Sequence, residues 1–121
     1  MKNKDIFILV INAVQLCSGV DDLKNISRER EIVDARRIAY HILREVFKMK
    51  LQTIADEFNK THATILHSLR DVEFLIKSDR FFKIAYEESI ERVKVMDCRK
   101  EQILYEIQEL QKELLTIDKL Y

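Results

Sequence analysis

A single glycine, Gly19, and no proline stand in a chain of 121 residues, and that shortage of breakers constrains the fold more than any other feature. Hairpins and tight loops draw on glycine and proline to reach the dihedral angles their turns need. Long stretches with apolar residues three and four apart suit helices instead. The expected class is therefore all-α. The chain is long enough for one domain with a modest buried core and an appendage.

The apolar spacing divides the chain. Ile6, Phe7, Leu9, Val10, Ala13, Val14 and Cys17 mark the inner face of a first helix over 3–18, with Gly19 as its left-handed cap. Asp21 or Asp22 starts a single turn that sets Leu23 and Ile26 against the core. Residues 25–30, NISRER, read as a polar basic loop in which Ser27 can cap the next helix. That helix, over 29–47, buries Ile32, Ala35, Ile38, Ala39, Ile42, Leu43 and Val46 and turns Arg36, Arg37, Arg44 and Lys48 to its other faces.

Residues 50–76 then read as a helix-turn-helix. Leu51, Ile54, Ala55 and Phe58 have helical spacing, Asn59 and Lys60 break it, and Thr61 can cap a second helix. Asn tolerates the left-handed backbone such a turn requires. Ile65, Leu66, Leu69, Val72, Leu75 and Ile76 form the inner face of the second helix, which is expected to end near Lys77. Its opening residues, Thr61, His62, Ala63 and Thr64, are compact and mostly polar, as suits a helix end that enters a major groove.

After Ser78 and Asp79 nothing interrupts the helical pattern. Phe81, Phe82, Ala85, Tyr86 and Ile90 can still pack on the domain. Val93, Met96, Lys100, Ile103, Ile107, Leu110, Leu114, Ile117 and Tyr121 then follow in alternating steps of three and four. Two arrangements satisfy this heptad: an amphipathic helix folded back on its own domain, or a coiled coil between two chains. The narrow seam favours the coiled coil. The expected organisation is a DNA-binding domain over 1–92 and a dimerisation helix over 93–121.

Charge narrows the function. The formal net charge is zero, so no overall field draws the chain to nucleic acid. Its distribution is uneven, with ten Lys/Arg against six Asp/Glu over 24–70, and nine against twelve from Asp71 onward. Cys17 and Cys98 are far apart and lack metal-ligand spacing, which reads as buried or incidental thiols in a reducing cytoplasm. The apolar run 6–14 is too short to span a bilayer and lacks a signal-peptide cleavage pattern. No nucleophile sits beside an evident base, and Asp56 and Glu57 read as solubilising charges, so no enzyme is expected. His41, His62 and His67 supply too few ligands for a metal.

Two stretches carry a family resemblance. SREREIVDARRIAYHILRE over 27–45 and TIADEFNKTHATILHSL over 53–69 resemble the basic loop, long helix and signature of the C-terminal DNA-binding domain of DnaA, the bacterial chromosomal replication initiator. The signature typically runs I-G-x-x-F-G-R-D-H-(S/T)-T-V-L-H-A, and the match is ungapped. It implies a Trp-repressor-like helical bundle with a helix-turn-helix. It also implies that Arg28 enters a minor groove, that Arg36 and Arg44 lie near phosphates, and that the start of the second helix reads the major groove. His67 would be packed beside the long helix. His62 and Thr64 keep the family's residues. Lys60 replaces Arg, Thr61 replaces Asp and Ala63 replaces Ser or Thr. These changes remove a bidentate fork, a carboxylate acceptor for cytosine N4 and a hydroxyl, and so imply an altered sequence preference.

The expected function is binding of double-stranded DNA in replication or transcription control. Arg28, Arg36, Arg44, Lys50, Lys60, Thr61, His62, Ala63 and Thr64 form the candidate site, and the chain is expected in the bacterial cytoplasm at the nucleoid. The expected partners are DNA and a second copy of the chain, with no membrane, metal, cofactor or nucleotide. The family's ATPase domain is expected to be absent, since no G-x-x-x-x-G-K-[ST] loop occurs. The alternative is a protein-interaction adaptor that kept this fold and no longer reads DNA.

Overall fold

In the computed structural model, residues 2–24 and 28–120 are described, and they form five α-helices with no strand among them. In chain order these are α1 (Asn3–Ser18), α2 (Arg30–Glu45), α3 (Leu51–Glu57), α4 (His62–Ser78) and α5 (Arg80–Leu120). The expected turn residue Ile26 and cap Ser27 lie outside the described residues.

The core is built on α2, which packs against each of the other four helices. Ala35, Ile38, Ala39, Ile42 and Leu43 are buried as their spacing requires. Tyr40 is buried as well, its ring edge-on to Phe58 at 4.9 Å. Around this helix gather Phe7, Val10, Ala13 and Val14 of α1, Ile54 and Ala55 of α3, and Ile65 and Val72 of α4. Leu23 is fully buried, so the turn before the basic loop does reach the core.

Local chemistry explains the helix ends. Gly19 sits at φ 74° and donates its amide to Gln15 O, closing α1. Asp79 separates α4 from α5, and its Oδ1 accepts from the amides of Phe81 and Phe82 at 3.0 and 3.2 Å. Its Oδ2 meets Arg30 at the start of α2. Asp34 pairs with both Arg30 and Arg37, and Arg37 reaches Asp71 on α4. α2 ends two residues before the expected Phe47 because the chain turns through Lys48, whose φ is 55°.

Two residues expected in the core lie outside it. Leu66 is 36% exposed and Phe81 is 84% exposed. Phe81 stands beside the break at Asp79, where its neighbour Phe82 takes the inward position. α5 packs on α1, α2 and α4 through Phe82, Ala85, Tyr86, Ile90, Val93 and Met96. The first two positions of the heptad seam, Val93 and Met96, therefore belong to the domain. From residue 97 the helix runs on without folding back, and its apolar side chains from Ile103 to Ile117 are exposed.

Candidate nucleic-acid interface

The turn between α3 and α4 follows from three residues. Asn59 adopts φ 54°, while its amide donates to Asp56 O and the Lys60 amide donates to Ala55 O at 2.8 Å. This paired return closes α3 with a left-handed residue just past its end. Thr61 then caps α4, its Oγ1 accepting from the Thr64 amide at 3.2 Å and lying 2.9 Å from Thr64 Oγ1. The helix-turn-helix is thus held by backbone and cap bonds local to the turn, with Ile54, Phe58 and Ile65 buried beneath it.

That arrangement leaves the first turn of α4 open to solvent. Thr61, His62, Ala63 and Thr64 are all exposed, and Lys60 beside them is partly buried. Ile65 alone in this stretch points inward. The free amides of a helix N-terminus favour an anion here, and the Lys60 ammonium adds a positive charge to them. Chemically the patch offers hydroxyl, imidazole, methyl and ammonium groups at one helix end.

The outlying candidates have different settings. Lys50 is exposed at the start of α3. Arg44 is partly buried and donates from Nη1 to Met49 O at 2.9 Å, which brings it beside Lys50 and ties α2 to the connector. Arg28 is exposed, and among the described residues no hydrogen bond or ion pair joins it to the turn. Arg36 departs from the open phosphate contact expected of it. Its side chain is buried, and Nε donates to Leu23 O at 2.9 Å. That bond satisfies the Leu23 carbonyl, while the Leu23 amide donates to Gln15 Oε1 at 3.0 Å, so the turn after α1 is tied to both α1 and α2.

His67, expected to pack beside the long helix, is exposed instead. Ala63, His67 and Arg70 are exposed and spaced four and three apart, so they extend one face of α4 away from its N-terminus. The sequence held a signal for this: His67 and Arg70 fall between the inward positions Ile65, Leu69 and Val72. The histidine that is packed is His41, on α2. Its Nδ1 lies 2.6 Å from Tyr86 Oη, with the rings edge-on. Burial lowers the His41 pKa against the opposing fields of Glu45 and Glu73. It raises that of Tyr86 to about 12, with Glu45 adding to the rise. Both effects favour neutral groups in this contact. Among the described residues no cluster of three His, Cys, Asp or Glu could hold a metal, and no helix is long and apolar enough to cross a membrane.

A family model described as the bacterial dnaA protein helix-turn-helix matches residues 6–72. The chain is similar to the chromosomal replication initiator protein DnaA of Trichormus variabilis, with 34% identity over 89 residues, 73% of this chain and 19% of that protein. It is also similar to the DnaA of Oleidesulfovibrio alaskensis, 35% identical over 72 residues, 54% of this chain and 16% of that protein. The chain thus spans less than a fifth of the length of these relatives. No solved structure matches this one with significance. The matched region runs from α1 into α4 and includes the turn with its cap, and on that match the chain belongs to the bacterial DnaA helix-turn-helix family.

Proposed function

We propose that the chain binds double-stranded DNA with sequence preference through its helix-turn-helix, as a reading module in replication or transcription control. The observation that carries this reading is the exposed first turn of α4, held by the Asn59 return and the Thr61 cap. In this reading His62, Ala63 and Thr64 meet base edges, and Ala63 offers a methyl to thymine. Thr61 divides its hydroxyl between cap and groove. Lys50, Lys60 and Arg44 hold phosphates, and Arg28 enters the adjoining minor groove. Arg36 acts at one remove, by bonding the buried Leu23 carbonyl and so holding α2 to the turn after α1. The family relationship supports the reading, because the curated relatives are named as chromosomal replication initiators.

Selection of retained duplexes from a random library at moderate salt tests it. A recovered motif is expected, lost in the double variant Arg28→Ala/His62→Ala while helicity is unchanged. Both side chains are exposed, so folding should not suffer. Binding should also weaken steeply with salt, as counterion release requires. A double variant that recovers the parent's motif with equal affinity refutes the site.

A second reading rests on the apolar stripe of α5, which extends from the domain uncovered. In it the chain is an adaptor that docks a protein helix and no longer reads DNA. No retention of random duplex even at low salt would favour it.

A further inference from the structure

Past Met96, α5 leaves the domain with its apolar stripe bare. Ile103, Ile107, Leu110, Leu114 and Ile117 are each 44–63% exposed. At its base this stripe runs into a groove of about 890 Å³ between α1 and α5, whose apolar walls are Leu9 and Cys17 on one side and Val95, Met96, Ile103 and Leu104 on the other. Arg92 and Arg99 stand at the groove, and among the described residues neither has an ion-pair partner.

We propose that this groove receives the C-terminal half of α5 from a second copy of the chain, in an antiparallel two-fold dimer that sets Arg92 opposite the partner's Glu113 and Arg99 opposite the partner's Glu106. Arg92, Arg99, Glu106 and Glu113 recur once per heptad along one edge of α5, and all four are exposed. Their charge changes sign between Arg99 and Glu106. Successive members are about 10 Å apart on the helix axis at about 1.5 Å per residue. A two-fold axis placed between Arg99 and Glu106 therefore aligns all four pairs at once, and the interface closes on itself. The same operation lays the exposed seam from Ile103 to Ile117 over the partner's groove.

Other pairings fit less well. Residues 80–100 carry six Lys/Arg and four Asp/Glu, whereas 101–120 carry two and five. Parallel pairing in register places acidic half on acidic half and brings Glu113 beside the partner's Asp118. Parallel pairing shifted by two heptads matches the arginines and glutamates once only, and leaves an open, non-closing contact. The charge pattern thus selects the second copy, in one orientation. The proposal concerns assembly and stands apart from what the helix-turn-helix binds.

Sedimentation equilibrium of the full chain under reducing conditions, which keep the exposed Cys98 from cross-linking, tests it. The expected parent is a dimer of the 14.5 kDa chain. Arg92→Glu/Arg99→Glu and Glu106→Arg/Glu113→Arg should each raise the dimer dissociation constant about tenfold or more, since every pair becomes like-charged. An equimolar mixture of the two variants should restore a dimer of parental affinity, because all four pairs are again opposite in charge. Circular dichroism should show unchanged helicity in both. A parent that stays monomeric to about 100 μM overturns the proposal and leaves the groove to a different partner. A parent dimer that neither variant weakens, or that mixing fails to restore, overturns the antiparallel pairing.

Discussion

Asn59 and His41 show how single side chains are held by their surroundings in opposite ways. Asn59 is exposed, and its role is set by its own backbone at φ 54°. A residue with a branched Cβ is strained there, so Asn59→Val should lower stability by about 1–2 kcal/mol in urea unfolding. Asn59→Gly should cost no more than a few tenths of a kcal/mol. Equal losses in the two would mean that the Asn side chain matters more than the dihedral angle. His41 is set by what covers it. Burial lowers its pKa from the ordinary 6.5, so below that value the unfolded chain binds more protons than the folded one. Its contribution to stability is therefore full above pH 6.5 and is lost as pH falls through the folded value beneath it. Thermal midpoints measured from about pH 8 down to about pH 5 should decline, and His41→Gln should flatten that part of the profile.

The break between α4 and α5 depends on one side chain at the scale of elements. Asp79 caps α5 with one carboxylate oxygen and holds Arg30 of α2 with the other. The cap is the larger contribution, since the Arg30 side chain is mostly exposed and its ion pair is screened by water. Asp79→Ala should lower stability by about 1 kcal/mol, and Asp79→Asn, which keeps an acceptor for the two amides, should recover most of it. Chemical denaturation of the three proteins checks this, and equal loss in both variants would shift the weight to the ion pair. The corresponding device at α4 is the Thr61 cap, which also lies in the candidate site. There, loss of binding in a Thr61 variant must be read beside its stability.

At the scale of the whole molecule, α5 serves two masters along its length. Val93 has no exposed surface and Met96 is partly covered, whereas the seam residues from Ile103 to Ile117 are exposed and lie outside the core cluster. A chain ending at Lys100 should therefore still unfold cooperatively, and its thermal midpoint should not depend on protein concentration. The full chain's midpoint should rise with concentration if the tails associate. Ending the chain before Val93 should instead cost about 1–3 kcal/mol, by removing buried apolar groups. Circular dichroism melts at two concentrations separate these cases.

What could be read without the structure is what acts within a few residues. Helical spacing marked the five helices, Gly19 and Asn59 marked left-handed ends, and Thr61 marked a cap, because each depends on dihedral angles and bonds to near neighbours. Periodicity also said which way a face points. It could not say whether another helix covers that face. Leu66 and Phe81 continue apolar patterns yet lie exposed, while Arg36 is drawn inward by a carbonyl thirteen positions away. The bond between His41 and Tyr86 joins residues 45 apart. The same limit applies to the candidate interface: the residues at the turn follow from local bonds, but whether His67 packs or faces solvent was decided by how α4 rests on α2. Packing between elements distant in sequence removes water from some faces and leaves others wet, and that choice depends on the assembled shape.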